Sequence, residues 1–326
     1  MFDVRACLET TIISRNKAHF AQAKDTPWRK PPFDHINSDT AYDMKTTPEG
    51  TPFHCHDSPL LETKTVAAIL QDTLQAGCPT WSPETSFQEF LSGILHWREA
   101  TSTSPSGRHL GVYKALAVAH CNSSGEFGSP DPTPGSPPTT QDQATTILHA
   151  IHALAATAAR RGFYLHRWIY VTNVMIYKKP GCIELNRLRV IHLFEADFNL
   201  MVGILFGRRA MFHQSKHRLI HPGQYGQPGG ECQDAAISKV LHNLLSTLTH
   251  TAMGQFESDA TACFDRVVME FALLCFKANG APLHPLQMWE RTLHHIVHRV
   301  KTAYGLSSDF YRYVPDSPII GPGQGS

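Results

Sequence analysis

Two aspartates that follow a short extended segment are the residues of this chain best suited to metal-dependent chemistry. Asp259 and Asp265 lie either side of Phe264 in the run FESDATACFD, and a helical run begins at Val267. Enzymes that transfer phosphoryl groups hold Mg²⁺ with carboxylates, and the end of a strand that opens into a turn holds a carboxylate rigidly. The segment therefore predicts Asp259 as a metal ligand. Most aspartates in such a place only stabilise the turn, so the neighbouring motifs decide between the two interpretations.

A basic region precedes this segment along the chain. The whole chain carries a net charge of +1, but residues 160–219 contain eleven lysines and arginines against three acidic residues, which leaves a local charge of +8. A surface of that charge could follow a phosphate backbone. The alternative is a solvated surface that binds nothing.

Histidine pairs offer a second kind of metal chemistry. His213 and His217 are spaced i,i+4, as are His294 and His298, and this spacing would place two ligands on one face of a helix. Neither pair contains the glutamate of the HExxH zinc motif. The sequence therefore favours a structural or surface role for both pairs.

The elements that must position these residues are mixed helices and strands. Apolar spacing predicts helices over residues 61–77, from Ser82 to Leu95, after Gly107, and over 145–159, 197–212, 232–248, 267–274 and 286–304. Strands are predicted over 171–177, 188–193 and 310–314, and a short one before Asp259. Because strands and helices do not alternate regularly, the predicted fold class is α+β.

Composition divides the chain into three parts. Residues 1–80 are predicted to be a helical, partly disordered lead-in, because residues 24–62 are rich in Pro, Thr, Asp and His. Residues 81–160 form a helical region with a Pro-rich loop near 122–141, and residues 161–326 form the mixed region that carries the chemistry.

The cellular compartment is predicted from the cysteines and from the start of the chain. The eight cysteines include no CxxC pair, and residues 1–6 lack the pattern of a secretory signal. No apolar run approaches the roughly 20 residues needed to cross a bilayer. We expect an intracellular protein with reduced thiols, cytoplasmic or nuclear and not secreted, and no membrane partner.

Five motifs in order resemble the fingers and palm of reverse transcriptases, particularly those of non-LTR retrotransposons. The resemblance covers roughly residues 104–326 and is carried by the run SPSGRHLGVYK at 104–114; by Trp168 with NVMIYKKPG at 173–181 and LRVIHL at 188–193; by QYGQPGG at 224–230; by Asp259 to Asp265; and by GQGS at 323–326. It implies right-hand polymerase fingers and a partial palm.

The resemblance also implies roles for individual residues. Asp259, helped by the backbone carbonyl of Ala260, would hold the two Mg²⁺ ions of a nucleotidyltransferase. From its position, Asp265 is expected to anchor the turn or to cap the following helix rather than to bind metal. The remaining matches would contact nucleotide or template: Arg189 the triphosphate, Lys178 and Lys179 the phosphates, Phe264 the sugar, and Gln324 and Gly325 the nascent base pair.

The sequence departs from the family pattern at several places. Val190 replaces a usual Pro, His192 replaces a small residue, and Gln227 stands where an aromatic is common. Residues 108–111, RHLG, replace the usual Asp-Gly step. These differences indicate a divergent lineage.

The resemblance implies a fragment of an RNA-directed DNA polymerase from a retroelement, with RNA template, DNA primer and dNTP as partners. The alternative is a non-catalytic nucleic-acid-binding remnant, and further alternatives are a translated pseudogene product and, less favoured, a polymerase that copies RNA into RNA. The family completes its metal site with an aromatic-x-Asp-Asp motif after the Gln-Gly segment, and the sequence ends at Ser326 before such a motif.

We therefore expect the 326-residue polypeptide alone to show no polymerase activity, because its metal ions would lack carboxylate ligands. Primer extension on an RNA template with Mg²⁺ or Mn²⁺ measures this. Robust extension would contradict the expectation.

Overall fold

The structure is a computed structural model. It describes residues 3–30, 33, 65, 68–70, 72–73, 77–97, 105–107, 110–121, 140–178, 180–181, 184–221, 223–226, 230–254 and 266–314. Over these residues the fold is a mixture of helices and one small mixed sheet, in agreement with the predicted α+β class.

Helices account for most of the described chain. In chain order they are α1 (Val4–Phe20), α2 (Phe87–Leu95), α3 (Leu110–Cys121), α4 (Thr140–Arg161), α5 (Ala196–Val202), a π-helical segment (Gly203–Ala210), α6 (Met211–Lys216), α7 (Cys232–Thr249), α8 (Met269–Ala278) and α9 (Leu283–His294). Short 3₁₀ turns cover Pro27–Arg29, His166–Ile169 and Leu185–Arg187. The predicted helix over 61–77 is supported by helical residues at 65, 68–70, 72 and 73.

The sheet contains β1 (Tyr170–Tyr177), β2 (Leu188–Leu193), β3 (Val297–Thr302), β4 (Gly305–Leu306) and β5 (Tyr311–Arg312). β1 and β2 form an antiparallel hairpin, and β3 lies parallel to β1 on its other side. β4 and β5 both pair antiparallel with β3. The two predicted strands at 171–177 and 188–193 are therefore the two arms of one hairpin.

One face of the sheet is covered by α1. Ile12, Ile13 and Phe20 of α1 pack with Val190 and Val300 of the sheet in a buried apolar cluster. The helix is also tied to the strands at both ends.

Hydrogen bonds hold α1 across the width of the sheet. The Arg15 guanidinium donates to the backbone oxygen of Leu188 (3.0 Å), and the Arg5 guanidinium donates to that of Leu306 (3.2 Å). The Glu9 carboxylate accepts from Arg5 (2.7 Å) and from the backbone N–H of Ser308 (3.2 Å). The sequence interpretation of residues 1–80 as a lead-in did not foresee this packing.

The larger core lies among the helices and at one end of the sheet. Phe90, Ile94, Tyr113, Leu148 and Trp168 are among its fully or almost fully buried members. The apolar stripes predicted for α2 and α3 point into it. Burying side chains of this size contributes about 1.5–3 kcal/mol each, so this core supplies most of the apolar stabilisation.

The start of α2 differs from the sequence prediction. The Ser82-Pro83 signal is not its cap; Ser86 is. The Ser86 hydroxyl accepts from the backbone N–H of Glu89 (3.1 Å), and the Glu89 carboxylate accepts from the N–H of Ser86 (2.8 Å). This reciprocal capping box satisfies two donors that Ser82 could not reach.

The predicted helix over 286–304 is wrong in its second half. α9 ends at His294, and the chain turns at His295 and Ile296 into strand β3. Pairing with β1 satisfies the backbone of Val297–Thr302, and long-range pairing of this kind overrides local helix propensity. The predicted strand over 310–314 is present in a shorter form as β5.

Some predicted features lie outside the described residues. They are residues 122–139 of the predicted Pro-rich loop, residues 34–64 of the predicted lead-in, and the extended segment that contains Asp259.

The glycine that follows the end of α8 lies close to the backbone of another segment of the chain. Gly280 has φ +80°, and a Cβ there would lie inside van der Waals contact with the backbone oxygen of Pro79 and 2.9 Å from His213 Nε2. Gly77 has a similar φ of +71° and open space around it. Substitution of Gly77 by alanine therefore tests backbone strain alone, whereas substitution of Gly280 adds a steric conflict.

We expect Gly77→Ala to cost about 1–2 kcal/mol, the usual cost of the left-handed backbone for a residue with a Cβ. Gly280→Ala should cost more by at least about 1 kcal/mol, since the backbone of Pro79 must also move. Urea unfolding of both variants measures the difference, and equal midpoints would contradict this packing.

Candidate nucleic-acid interface

The β1–β2 hairpin carries two of the residues predicted to contact phosphates. Arg189 lies opposite Ile176 in the register of the hairpin, and Lys178 follows the end of β1. Both side chains are exposed. In the turn between the strands, Arg187 forms an ion pair with Glu184 (3.0 Å).

The face of the sheet opposite α1 is open and basic. Strand residues that lie opposite one another share a face, so the register places Arg189 on the same face as Lys301, Arg299 and Arg312. All four side chains are exposed. We call these four residues the basic sheet face.

The positive charge of the basic sheet face is not offset by acidic residues of the described strands. In the part of the chain that the structure describes, no strand contains an Asp or a Glu. Strand spacing and rise distribute the four cations over an area of about 14 by 20 Å. Such a surface attracts a polyanion.

Apolar side chains lie between these cations. Tyr170 and Ile176 are exposed on this face, Val174 and Ile191 are half-buried, and Thr172 alone is buried. Single-stranded nucleic acids are bound by grooves that pair cations for the backbone with rings or apolar groups for the bases. The basic sheet face has both kinds of group.

Two arginines of the basic region over residues 160–219 form ion pairs within the fold. Arg167 forms an ion pair with the fully buried Asp197, Arg209 pairs with Glu89 (2.7 Å), and Arg209 also donates to the backbone oxygen of Ser82 (2.8 Å). These two arginines hold the helices together, and carboxylates balance their charges. Whether the rest of the region follows a phosphate backbone stays a prediction.

The first sequence motif contacts the chain just after β2. Ser106, from the run SPSG, donates from its backbone N–H (2.9 Å) and from its hydroxyl (3.0 Å) to the carboxylate of Glu195. Glu195 is buried and lies two residues after the end of β2. This pair of bonds positions the 105–107 turn against the end of the hairpin.

The remaining predicted site residues cannot be placed. Asp259, Ala260, Phe264, Gln324 and Gly325 all lie outside the described residues, as does Lys179. Within the described ranges no group of three or more His, Cys, Asp or Glu side chains could hold a metal ion. The two Mg²⁺ ions implied for Asp259 therefore stay a prediction.

The histidine pairs have structural surroundings. His213 is buried against Cys78, with 3.3 Å between Nε2 and Sγ, and its ring contacts that of His217. Burial lowers the pKa of His213 and raises the pKa of the Cys78 thiol, so both groups are neutral near pH 7.

His294 and His298 do not share a helical face as their spacing implied. His294 ends α9 and stacks on Tyr313, whereas His298 lies in β3. No helix of the described chain is long and apolar enough to cross a membrane.

Three residues of the basic sheet face were missed by the sequence interpretation. Arg299, Lys301 and Arg312 lie outside residues 160–219, and the first two were assigned to a helix. Val297 and Val300 are three residues apart, a spacing that favours a helix over the strict alternation of a half-buried strand. Local periodicity therefore did not indicate β3.

No protein-family model matches this chain, and no curated protein sequence matches it either.

A cluster of polar side chains is buried between the sheet and α1. His298 Nδ1 lies 3.4 Å from Asn173 Oδ1, and Asn173 donates to the hydroxyl of Tyr311. The His298 ring stacks on Tyr311 and lies 5.0 Å from the ring of His192. Phe20 of α1 covers the cluster. Complete burial, together with the neighbouring His192, holds the pKa of His298 well below its ordinary value.

A depressed pKa in the folded state makes stability depend on pH. Below about pH 6.5 His298 is protonated in the unfolded chain but stays neutral in the folded chain. The free energy of unfolding therefore falls as pH falls, by up to about 1.4 kcal/mol per pH unit. Burial also lowers the pKa of His152 and His213, which adds a slope of the same sign.

Comparison with His298→Gln isolates the contribution of the cluster. We expect the urea midpoint of the wild type to fall more steeply than that of the variant as pH is lowered from 7.5 to 5.5. This range extends about one unit either side of the ordinary pKa of histidine. Identical slopes would show that His298 does not hold a depressed pKa.

Proposed function

We propose that this chain binds single-stranded RNA through the basic sheet face, as a fingers-type portion of an RNA-directed DNA polymerase of non-LTR retrotransposon type. The observation that carries the proposal is the basic sheet face, where Arg189, Arg299, Lys301 and Arg312 are exposed and no residue of the described strands is acidic.

The chemistry of the four cations suits a phosphate backbone. A guanidinium can bind two phosphate oxygens at once, whereas a lysine ammonium acts as a point charge. Three of the four residues are arginines. Between them, Tyr170 and Ile176 offer surfaces on which bases can stack or pack.

The rigidity of the sheet supports the same function. Its opposite face is fixed by α1 through apolar packing and through hydrogen bonds from Arg15 and Arg5. Cations on a rigid surface lose little conformational entropy when they bind, which favours affinity.

The polymerase part of the proposal rests on the order of the sequence motifs. The Ser106–Glu195 hydrogen bonds hold the first motif near the end of the hairpin that carries the second, and Arg189 is exposed on that hairpin. In a complete enzyme of this type, Asp259 would hold Mg²⁺ for the attack of a 3′-hydroxyl on a dNTP, with Phe264 against the sugar.

RNA binding measured at several salt concentrations tests the proposal. We expect Arg299→Ala combined with Lys301→Ala to weaken binding of a labelled single-stranded RNA about tenfold or more. The slope of log affinity against log salt should fall by about 1.4, since each single-strand phosphate contact contributes about 0.7. Fluorescence anisotropy gives both quantities.

The matched control is Lys17→Ala. Lys17 is an exposed lysine on α1, on the opposite side of the sheet, so its removal changes the net charge without touching the basic sheet face. A loss of affinity equal to that of Lys301→Ala would indicate non-specific attraction and would overturn the proposed face.

Binding and catalysis are separated by a second set of variants. Arg189→Ala and Lys178→Ala should weaken RNA binding, whereas Asp259→Ala should leave it unchanged, because a carboxylate that holds metal contributes little to binding of a polyanion. Equal losses for all three would contradict this division of roles.

A further inference from the structure

Helix α7 exposes an apolar face along most of its length. None of its eighteen residues is buried. Its six large apolar side chains are between 51% and 69% exposed: Ile237, Val240, Leu241, Leu244, Leu245 and Leu248. At 100° per residue they fall within a sector of about 140° on one side of the helix. A contiguous apolar patch of this kind marks an interaction surface.

The apolar positions are arranged symmetrically about the middle of the helix. Leu241 and Leu244 are equally far from the point between His242 and Asn243. The same holds for Val240 with Leu245 and for Ile237 with Leu248. A twofold interface requires a surface that is complementary to itself, in which residue i meets j and j meets i. An antiparallel pair of α7 helices centred on this point meets the requirement, because every apolar side chain lies level with another.

The charges of α7 favour the antiparallel direction. Asp234 and Lys239 are its only Asp, Glu, Lys or Arg residues. About the same centre, Asp234 lies level with Thr251, and Lys239 lies level with Ser246. In a parallel pair in register, each charge would instead lie level with its own copy, and like charges opposite one another are destabilising.

The size of the face is sufficient for a stable pair. The exposed parts of the six side chains amount to roughly 650 Å² per copy, so a pair that covered them completely would bury about 1,300 Å², near the lower end of the range of specific interfaces. A shallow, open groove of about 340 Å³ runs along one edge of the face, lined by Ile237, Leu241 and Leu245 with Asp234, Ser238 and His242. Side chains of a second helix can pack into such a groove.

From these observations we infer that α7 is a homodimer interface, formed by antiparallel pairing with α7 of a second copy of this chain. The inference is independent of RNA binding, since it rests on α7 and on none of the residues of the basic sheet face.

Sedimentation velocity of the full chain from about 1 to 100 µM, a range that spans moderate affinities, tests the inference. We expect a dimer whose Kd rises at least about 100-fold in Leu241→Lys and in Leu244→Lys, because each places two unpaired ammonium groups in the centre of the interface. Both residues are exposed in the single chain, so the thermal midpoint of the monomer should not change.

Leu154→Lys is the matched control. Leu154 is a leucine on α4 that is 53% exposed, and its replacement should leave the Kd unchanged. A chain that stays monomeric at all concentrations would overturn the inference and would assign the face to a different occupant. A dimer that Leu241→Lys does not weaken, or that Leu154→Lys weakens equally, would also overturn it.

The direction of pairing is tested by oxidative cross-linking. Leu241→Cys mixed with Leu244→Cys should form the mixed disulfide in preference to either variant alone, because these positions lie level only in the antiparallel pair. Peptide mass spectrometry distinguishes this bond from bonds to the native thiols, such as Cys7 and Cys232. Self-cross-linking of each variant, without the mixed product, would show parallel pairing and would contradict the inferred interface.

Discussion

The parallel pairing of β1 with β3 is the constraint on which the rest of the described fold depends. It places Tyr170 opposite Val297 and Asn173 opposite Val300, and the chain between them forms one arm of the hairpin and several helices. Parallel strands need a long crossover, and here β2 and the helices after it lie in the connection between β1 and β3. Without this pairing the polar cluster around His298 and the basic sheet face would both be lost.

The two faces of the sheet have opposite character because, among the described residues, α1 packs on one face and leaves arginines and lysine exposed on the other. Phe20 and its neighbours on α1 remove water from one face, so polar groups there must bond to one another, as Asn173 does with Tyr311. On the other face arginine and lysine keep their charged ends in water. The alternation of side chains along each strand separates these environments by a single residue, as at His298 and Arg299.

Two uncovered surfaces of different chemistry remain on the described chain. The basic sheet face suits a polyanion, whereas the apolar face of α7 suits another protein surface. Partly buried arginines such as Arg167, which pairs with the buried Asp197, show why charge in the sequence alone does not identify a binding surface. Whether an arginine is available to bind a ligand depends on whether a carboxylate of the protein lies within reach, and the packing of the chain decides this.

Local periodicity and turn residues were sufficient to predict the α+β class, the two arms of the hairpin and the apolar stripes of α2 and α3. The motifs also selected Arg189 and Lys178, which lie exposed on or beside the hairpin. The strand after His294 and the packing of α1 on one face of the sheet became evident only in three dimensions. These features depend on contacts between distant parts of the chain, which leave little trace in a local pattern.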